Sequence, residues 1–173
     1  MRKSAFLFST FCLVAALTIS SCKGEGDHGE KHDNDKKHKE HKAWNDQDHK
    51  AVKSAILDYV EGIYEVDSTR IQKSVDTTLR KIGYWYNKKD SAYMDNLPMT
   101  HDQLVRLAAR WNKDGSRANE NSPKKITIYD INSKTASAKL TAEWGIDYFH
   151  LGKYNGQWKI MNVIWQSMPE NEN

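Results

Sequence analysis

Apolar residues recur along the chain at two spacings, and the change between them separates a helical first half from a stranded second half. Val52, Ile56, Tyr59, Val60 and Ile63 fall three and four residues apart, which lays their side chains on one face of an α-helix. That helix is predicted to begin near Ala51 and to weaken at Gly62. Asp67-Ser68 offers an N-cap for a second short helix carrying Ile71, Val75 and Leu79, and the two helices are expected to pack as a hairpin. Ile82 to Tyr93 places Tyr84, Trp85, Tyr86 and Tyr93 around Asn87-Lys88-Lys89-Asp90, the pattern of two short strands joined by a turn. Thr100 and Gln103 are spaced as a capping box ahead of Leu104, Leu107, Ala108 and Trp111, which predicts a third helix from Asp102 to Asn112.

Beyond Pro123 the period becomes two. Strands are predicted over Lys125 to Ile131, Thr135 to Trp144, Ile146 to Gly152 and Gln157 to Gln166, a meander. Ala136, Ala138, Leu140, Ala142 and Trp144 alternate with Ser137, Lys139, Thr141 and Glu143, which gives one buried and one wet face. The last two strands read as apolar on both faces. Trp158, Ile160 and Ile164 share one side while Met161, Val163 and Trp165 share the other, so both sides are expected to be covered. Asn155-Gly156 is a strong two-residue hairpin signal and sets Tyr154 opposite Gln157. Counting back from it pairs His150 with Met161, Tyr148 with Val163 and Ile146 with Trp165 on one face. Asp147 with Ile164 and Phe149 with Asn162 then lie on the other, and a slip of one residue would exchange the two faces.

The amino terminus changes what the composition means. Arg2 and Lys3 precede an apolar run from Ala5 to Ile19 that is shorter than the roughly 20 residues of a permanent membrane span. Ile19-Ser20-Ser21-Cys22 follows, and residues 1–21 are therefore read as a cleaved signal peptide. Without it, the 26 basic residues fall to 24 against 23 acids, so the electrostatic footprint of a nucleic-acid binder is absent. Both cysteines, Cys12 and Cys22, lie in this region. That excludes a disulfide framework, a zinc–cysteine site and a cysteine nucleophile from the folded part.

Residues 22–50 read as a disordered tether rich in histidine, lysine and acids. From Lys23 to Lys50 there are seven lysines, eight acids and five histidines with Trp44 as the only large apolar side chain, too little apolar surface to offset the entropy of ordering. His28, His32, His38, His41 and His49 raise the possibility of metal buffering, but their irregular spacing fixes no coordination geometry. The domain is expected over residues 51–168, with a disordered tail at 169–173.

Ile19-Ser20-Ser21-Cys22 resembles the lipobox of bacterial lipoproteins, which implies a diacylated Cys22 and a protein anchored by lipid in the cell envelope, on the periplasmic side or the cell surface. The order of elements, ending in Gly156-Gln157-Trp158-Lys159-Ile160, resembles the nuclear transport factor 2-like superfamily. Within it, Ala51-Val52 to Asp58-Tyr59-Val60-Glu61-Gly62-Ile63-Tyr64, Asp147-Tyr148-Phe149-His150-Leu151 and Trp158 to Trp165 resemble the putative lumazine-binding family. The resemblance implies a cone-shaped α+β fold with three helices packed on a strongly curved antiparallel sheet. It also implies homodimerisation through the convex sheet face, since superfamily members commonly pair there. Activity does not follow from it, because the superfamily contains isomerases, cyclases and dehydratases as well as binding modules.

Candidate site residues are Asp147, Tyr148, His150, Asn162, Trp165, Tyr59 and Trp85. Asp147 is the best candidate for chemistry, since a carboxyl on an apolar face has a raised pKa and can act as a general base. The competing reading is a structural acid paired with backbone or Asn162. Trp85, Tyr86, Trp111, Trp144 and Trp165 could line a pocket for a flat heterocycle, or could simply be core. No phosphate loop, Ser-His-Asp order or paired metal motif is present, and no cofactor is expected. Two functions follow: a binding or interaction module for a small aromatic or apolar ligand, or an enzyme pairing Asp147 with Tyr148 or Tyr59 for isomerase, cyclase or dehydratase chemistry.

Overall fold

The computed structural model describes the backbone of residues 34–168 and the side chains of residues 46–168. Residues 1–21, read above as a signal peptide, lie outside the described residues, as do Cys22, His28, His32, the 169–173 tail and the side chains of His38 and His41. Three helices and six strands follow in the order α1 (Asn34–Tyr64), α2 (Ser68–Ser74), β1 (Val75–Asn87), β2 (Ala92–Met99), α3 (His101–Ala108), β3 (Lys125–Ile131), β4 (Thr135–Ala142), β5 (Gly145–Tyr154) and β6 (Gln157–Gln166). The strands form one sheet in the order β2-β1-β6-β5-β4-β3. It is mixed rather than wholly antiparallel, because β6, last in the meander, returns beside β1 and runs parallel to it. The helices bury Val52, Ile56, Tyr59, Val60, Ile71 and Leu104 against Leu140, Phe149, Leu151, Ile160 and Val163 of the sheet, the two-layer solution for an α+β domain.

Three element boundaries differ from the sequence expectation. α1 starts at Asn34 instead of Ala51, so the segment read as a tether is helical from that point. Asp48 is buried on it, accepting hydrogen bonds from Lys153 Nζ at 2.6 Å and Trp158 Nε1 at 2.9 Å. α2 ends at Ser74, and Val75 is already extended at φ −110° and ψ 139°. Val75 and Leu79 therefore belong to β1, where Thr77 and Thr78 suit a pleated backbone better than a helix. α3 stops at Ala108, four residues short of Asn112. The Asn112 side chain organises the following loop instead, donating to the carbonyls of Tyr64 and Ala118 and accepting from the backbone amides of Arg117 and Ala118. The capping box at Thr100 and Gln103 forms as expected.

The Asn155-Gly156 turn forms with φ of 49° and 80° and sets Tyr154 opposite Gln157. The expected register holds from there to Leu151, which faces Ile160, and then breaks. Met161 is an extra residue in β6, so His150 faces Asn162, Phe149 faces Val163, Tyr148 faces Ile164 and Asp147 faces Trp165. A β-bulge of this kind shifts every later side chain by one position. It resolves the apparent two-sided apolarity of β6: Trp158, Ile160, Val163 and Trp165 all turn to the helices, and Ile164 and Tyr148 are exposed on the outer face.

Asp48, near the middle of α1, ties that helix to the far hairpin. Burial opposes its ionisation, but the hydrogen bonds from Lys153 and Trp158 outweigh that and hold its carboxyl below the usual range. Asp48→Ala leaves Lys153 and the Trp158 N–H without that acceptor and is expected to cost about 1–3 kcal/mol in urea denaturation. An unchanged midpoint would show that the fold begins after this residue.

Candidate functional site

A recess of about 230 Å³ opens between the helices and the sheet. Period-two alternation in β1 directs Leu79, Lys81 and Gly83 to the buried face. Lys81 lies in the strand next to β6, and Asp147 in the strand on its other side. The lysine must therefore meet the aspartate across a whole strand, about 10 Å at normal spacing, a gap that its four-carbon stem, the shorter Asp147 side chain and the contact between them cover together. Its Nζ reaches Asp147 Oδ1 at 3.2 Å and donates to Tyr59 Oη at 2.8 Å. On the way the ammonium lies over the Trp165 ring, 5.2 Å from its centroid, and 5.5 Å from that of Tyr59, within the range of a cation–π attraction.

Asp147 is fully buried and Lys81 is 5% exposed. Asp147 Oδ2 accepts from Trp144 Nε1 at 2.8 Å. Burial pushes the Asp147 carboxyl up, against the opposing pull of Lys81, Trp144 and Tyr59. It pushes the Lys81 ammonium down, against the opposing charge of Asp147. The Tyr59 hydroxyl rises well above its ordinary value, first through burial and then through the nearby carboxylate. The site therefore holds an amine and a carboxyl that burial drives toward a shared proton.

The walls are aromatic. Trp144 packs edge-on against Tyr59, Tyr64 and Trp111 with centroids 6.2, 5.5 and 5.4 Å apart, while Tyr64 and Trp111 stack at 6.0 Å. Gly145 enables this corner: its φ is +130°, and a Cβ there would lie 2.1 Å from the Gln166 carbonyl oxygen. Gly83 serves the opposite wall, where a Cβ would lie 2.1 Å from the Trp165 indole, so only glycine lets that ring lie on β1. Trp85, 47% exposed, packs against Trp165 at 6.4 Å and stands at the mouth. Outside the mouth, a wider bay of about 910 Å³ shares Trp85, Trp111, Arg117 and Trp144 with the recess and adds Glu143 and Ser167.

Of the sequence candidates, Tyr59, Trp165 and Trp85 line the recess, and Asp147 holds its floor through Lys81 and Trp144. Trp111 and Trp144 line it as well, whereas Tyr86 packs instead against Tyr93. Tyr148 and His150 lie on the outer face of the sheet through the unbroken alternation of β5, and the bulge in β6 turns Asn162 to the same face. His150 there meets Asn162, which also donates to the Arg80 carbonyl. Asn162 is thus no partner of Asp147, and a Tyr148–Asp147 acid–base pair is geometrically impossible. The residue missed is Lys81. Its signal was the alternation Leu79, Lys81, Gly83, obscured by reading Leu79 as helical. His49 is exposed, and no group of three His, Cys, Asp or Glu is placed to hold a metal among the described residues.

The model of the family described as "Putative lumazine-binding" matches residues 47–166. Solved structures with similar architecture include an NTF-2 like protein of unknown function from Silicibacter pomeroyi, with 12% identity and a TM-score of 0.53, covering 72% of this chain and 98% of that one. An NTF2-like protein of unknown function from Shewanella baltica has 21% identity and a TM-score of 0.50 over 72% and 96%. An NTF2-like protein with a cystatin-like fold from Novosphingobium aromaticivorans has 10% identity and a TM-score of 0.51 over 82% and 94%. At these identities the likeness concerns the fold alone. No curated protein matches the sequence.

Removing Lys81 should unbalance the floor. Lys81→Met leaves a buried carboxyl without its cation and is expected to cost about 3–5 kcal/mol. The pH dependence carries the sign. With Lys81 absent, Asp147 keeps a folded pKa above its unfolded value, so the folded state binds the extra proton and the variant gains stability as pH falls. The deficit relative to wild type should shrink between about pH 7 and pH 4 in parallel denaturation curves. A deficit that is constant across this range would mean that Asp147 is not ionised against Lys81.

Proposed function

We propose, since this chain belongs to the putative lumazine-binding family, that its domain is a small-molecule binding module taking a flat aromatic ring into the recess above Lys81. This reading rests on an aromatic-walled space with the Lys81–Asp147–Tyr59 cluster at its floor and Arg117 as the other charged group along its lining. Few polar groups among apolar walls are the usual composition of a ligand site. At about 230 Å³ the recess is smaller than the roughly 300–1,000 Å³ of drug-sized sites, which favours one or two fused rings inside with any polar tail in the outer bay beside Arg117 and Glu143. The paired charges at the floor make a neutral ring the better guest, because an anion there would compete with Asp147 for Lys81.

The module is further proposed to be held at the bacterial envelope by lipid on Cys22, a reading supported by the basic start, the short apolar run and Ile19-Ser20-Ser21-Cys22. Two acyl chains would suffice for stable anchoring.

Tryptophan fluorescence tests the binding reading, since four of the six tryptophans line the recess. Titration with lumazine, riboflavin and 2-naphthylmethanol should give saturable quenching for at least one of them. Trp111→Ala should weaken it about tenfold, the equivalent of one lost aromatic contact near 1.4 kcal/mol. Flat traces for all three with folded protein would contradict a binding role for the recess.

A further inference from the structure

The floor of the recess is built to do more than hold a ring. Lys81 is the one amine in it, and its nearest polar neighbours are a carboxyl and a phenol, the two groups that proton transfer to and from an amine requires. We propose that Lys81 Nζ forms a reversible imine with an aldehyde or ketone carried by an aromatic guest, with Asp147 and Tyr59 moving the protons. The proposal rests on the binding reading above, because the carbonyl must be delivered to the floor by a ring seated among Trp111, Trp144 and Trp165.

Each step has a group in place. Nζ and Asp147 Oδ1 are 3.2 Å apart, so a proton passing from ammonium to carboxylate converts a buried ion pair into a neutral amine and a neutral acid. Burial favours that direction at both ends. The amine lone pair then forms a C–N bond with the carbonyl carbon. The π electrons move to the carbonyl oxygen, which takes a proton from Tyr59 Oη, 2.8 Å from Nζ. Nitrogen loses a proton, which restores the Tyr59 hydroxyl. Asp147 next protonates the hydroxyl group of the carbinolamine, water leaves, and the nitrogen lone pair closes the C=N bond as an iminium. Asp147, again a carboxylate, is its counter-ion. One water is released per imine, no oxidant or reductant is consumed, and hydrolysis reverses the sequence.

The setting suits this chemistry in a way that surface lysines do not. An exposed lysine near its ordinary pKa of about 10.4 is almost wholly protonated at neutral pH, and each unit of depression raises the free amine about tenfold. Desolvation in an apolar pocket is an established way to activate a lysine as a nucleophile. Trp144 Nε1 holds the second carboxylate oxygen, which keeps the first aimed at Nζ.

The test uses the full chain with 2-naphthaldehyde and sodium cyanoborohydride, which reduces an imine to a stable secondary amine. Peptide mass mapping then reads the naphthylmethyl adduct at every lysine. The expected result is labelling of Lys81 at least about tenfold faster than exposed Lys113, slowed by excess 2-naphthylmethanol and reduced in Tyr59→Phe. Labelling spread over exposed lysines with Lys81 unmodified would overturn the proposal. If 2-naphthylmethanol quenches tryptophan fluorescence while Lys81 stays unlabelled, the imine fails and the binding reading stands. If it neither quenches nor protects, Lys81 is unlabelled, and lumazine and riboflavin also give flat traces, both fail. Because the decisive readout is on the unaltered protein, the outcome does not depend on any variant folding.

Discussion

The rest of the site is arranged around one unfavourable fact: a lysine and an aspartate are removed from water in the middle of a small domain. Desolvation costs several kcal/mol per ion, and the mutual attraction of the pair offsets that only when further hydrogen bonds satisfy both groups. Here the supporting groups come from four parts of the fold. Tyr59 arrives from α1, Lys81 from β1, Asp147 from β5 and Trp144 from the turn before it. None of these can move without leaving a buried polar atom unsatisfied. The cluster therefore fixes α1 on the sheet at the same point where it forms the floor of a recess.

A single extra residue makes this geometry compatible with the strand sequence. Without the bulge at Met161, the period of two running from Trp158 and Ile160 would turn Ile164 inward and Trp165 outward. With it, Trp165 faces Asp147 across the sheet and supplies the ring beneath the Lys81 ammonium. Gly83 leaves space for that indole, and Gly145 lets the next corner approach the Gln166 backbone. Bulge and glycines thus shape opposite walls of one space.

Much of the fold was legible in the sequence because local signals agreed with it. The i, i+3, i+4 pattern of α1, the Thr100–Gln103 box, the strict alternation of β4 and the Asn155-Gly156 turn all appear where expected. The site was less legible for definite reasons. A bulge has no period of its own, so counting back from the hairpin put Asn162, Val163, Ile164 and Trp165 on the wrong faces of β6, while Tyr148 and His150, on the unbroken β5, stay on the face opposite Asp147 and away from the recess. Asp147 was assigned to the right face, but its partner lies 66 residues earlier, and no local pattern announces a pairing across an intervening strand. Asp48 was hidden differently: its neighbours are charged, and only the tertiary contact with Trp158 distinguishes it from a solvated acid.

In the proposed binding module the tryptophans around Lys81 form one accessible ligand site, and Trp158, held by Asp48 away from it, takes no part. The indole N–H region of a nitrogen-15 correlation spectrum reads this directly, with one resonance per tryptophan, recorded with and without each of lumazine, riboflavin and 2-naphthylmethanol. The resonances of Trp85, Trp111, Trp144 and Trp165 should move together along one saturation curve while that of Trp158 stays in place. Movement of Trp158 with the other four stationary, or no movement with any of the three, would contradict a ligand site around Lys81.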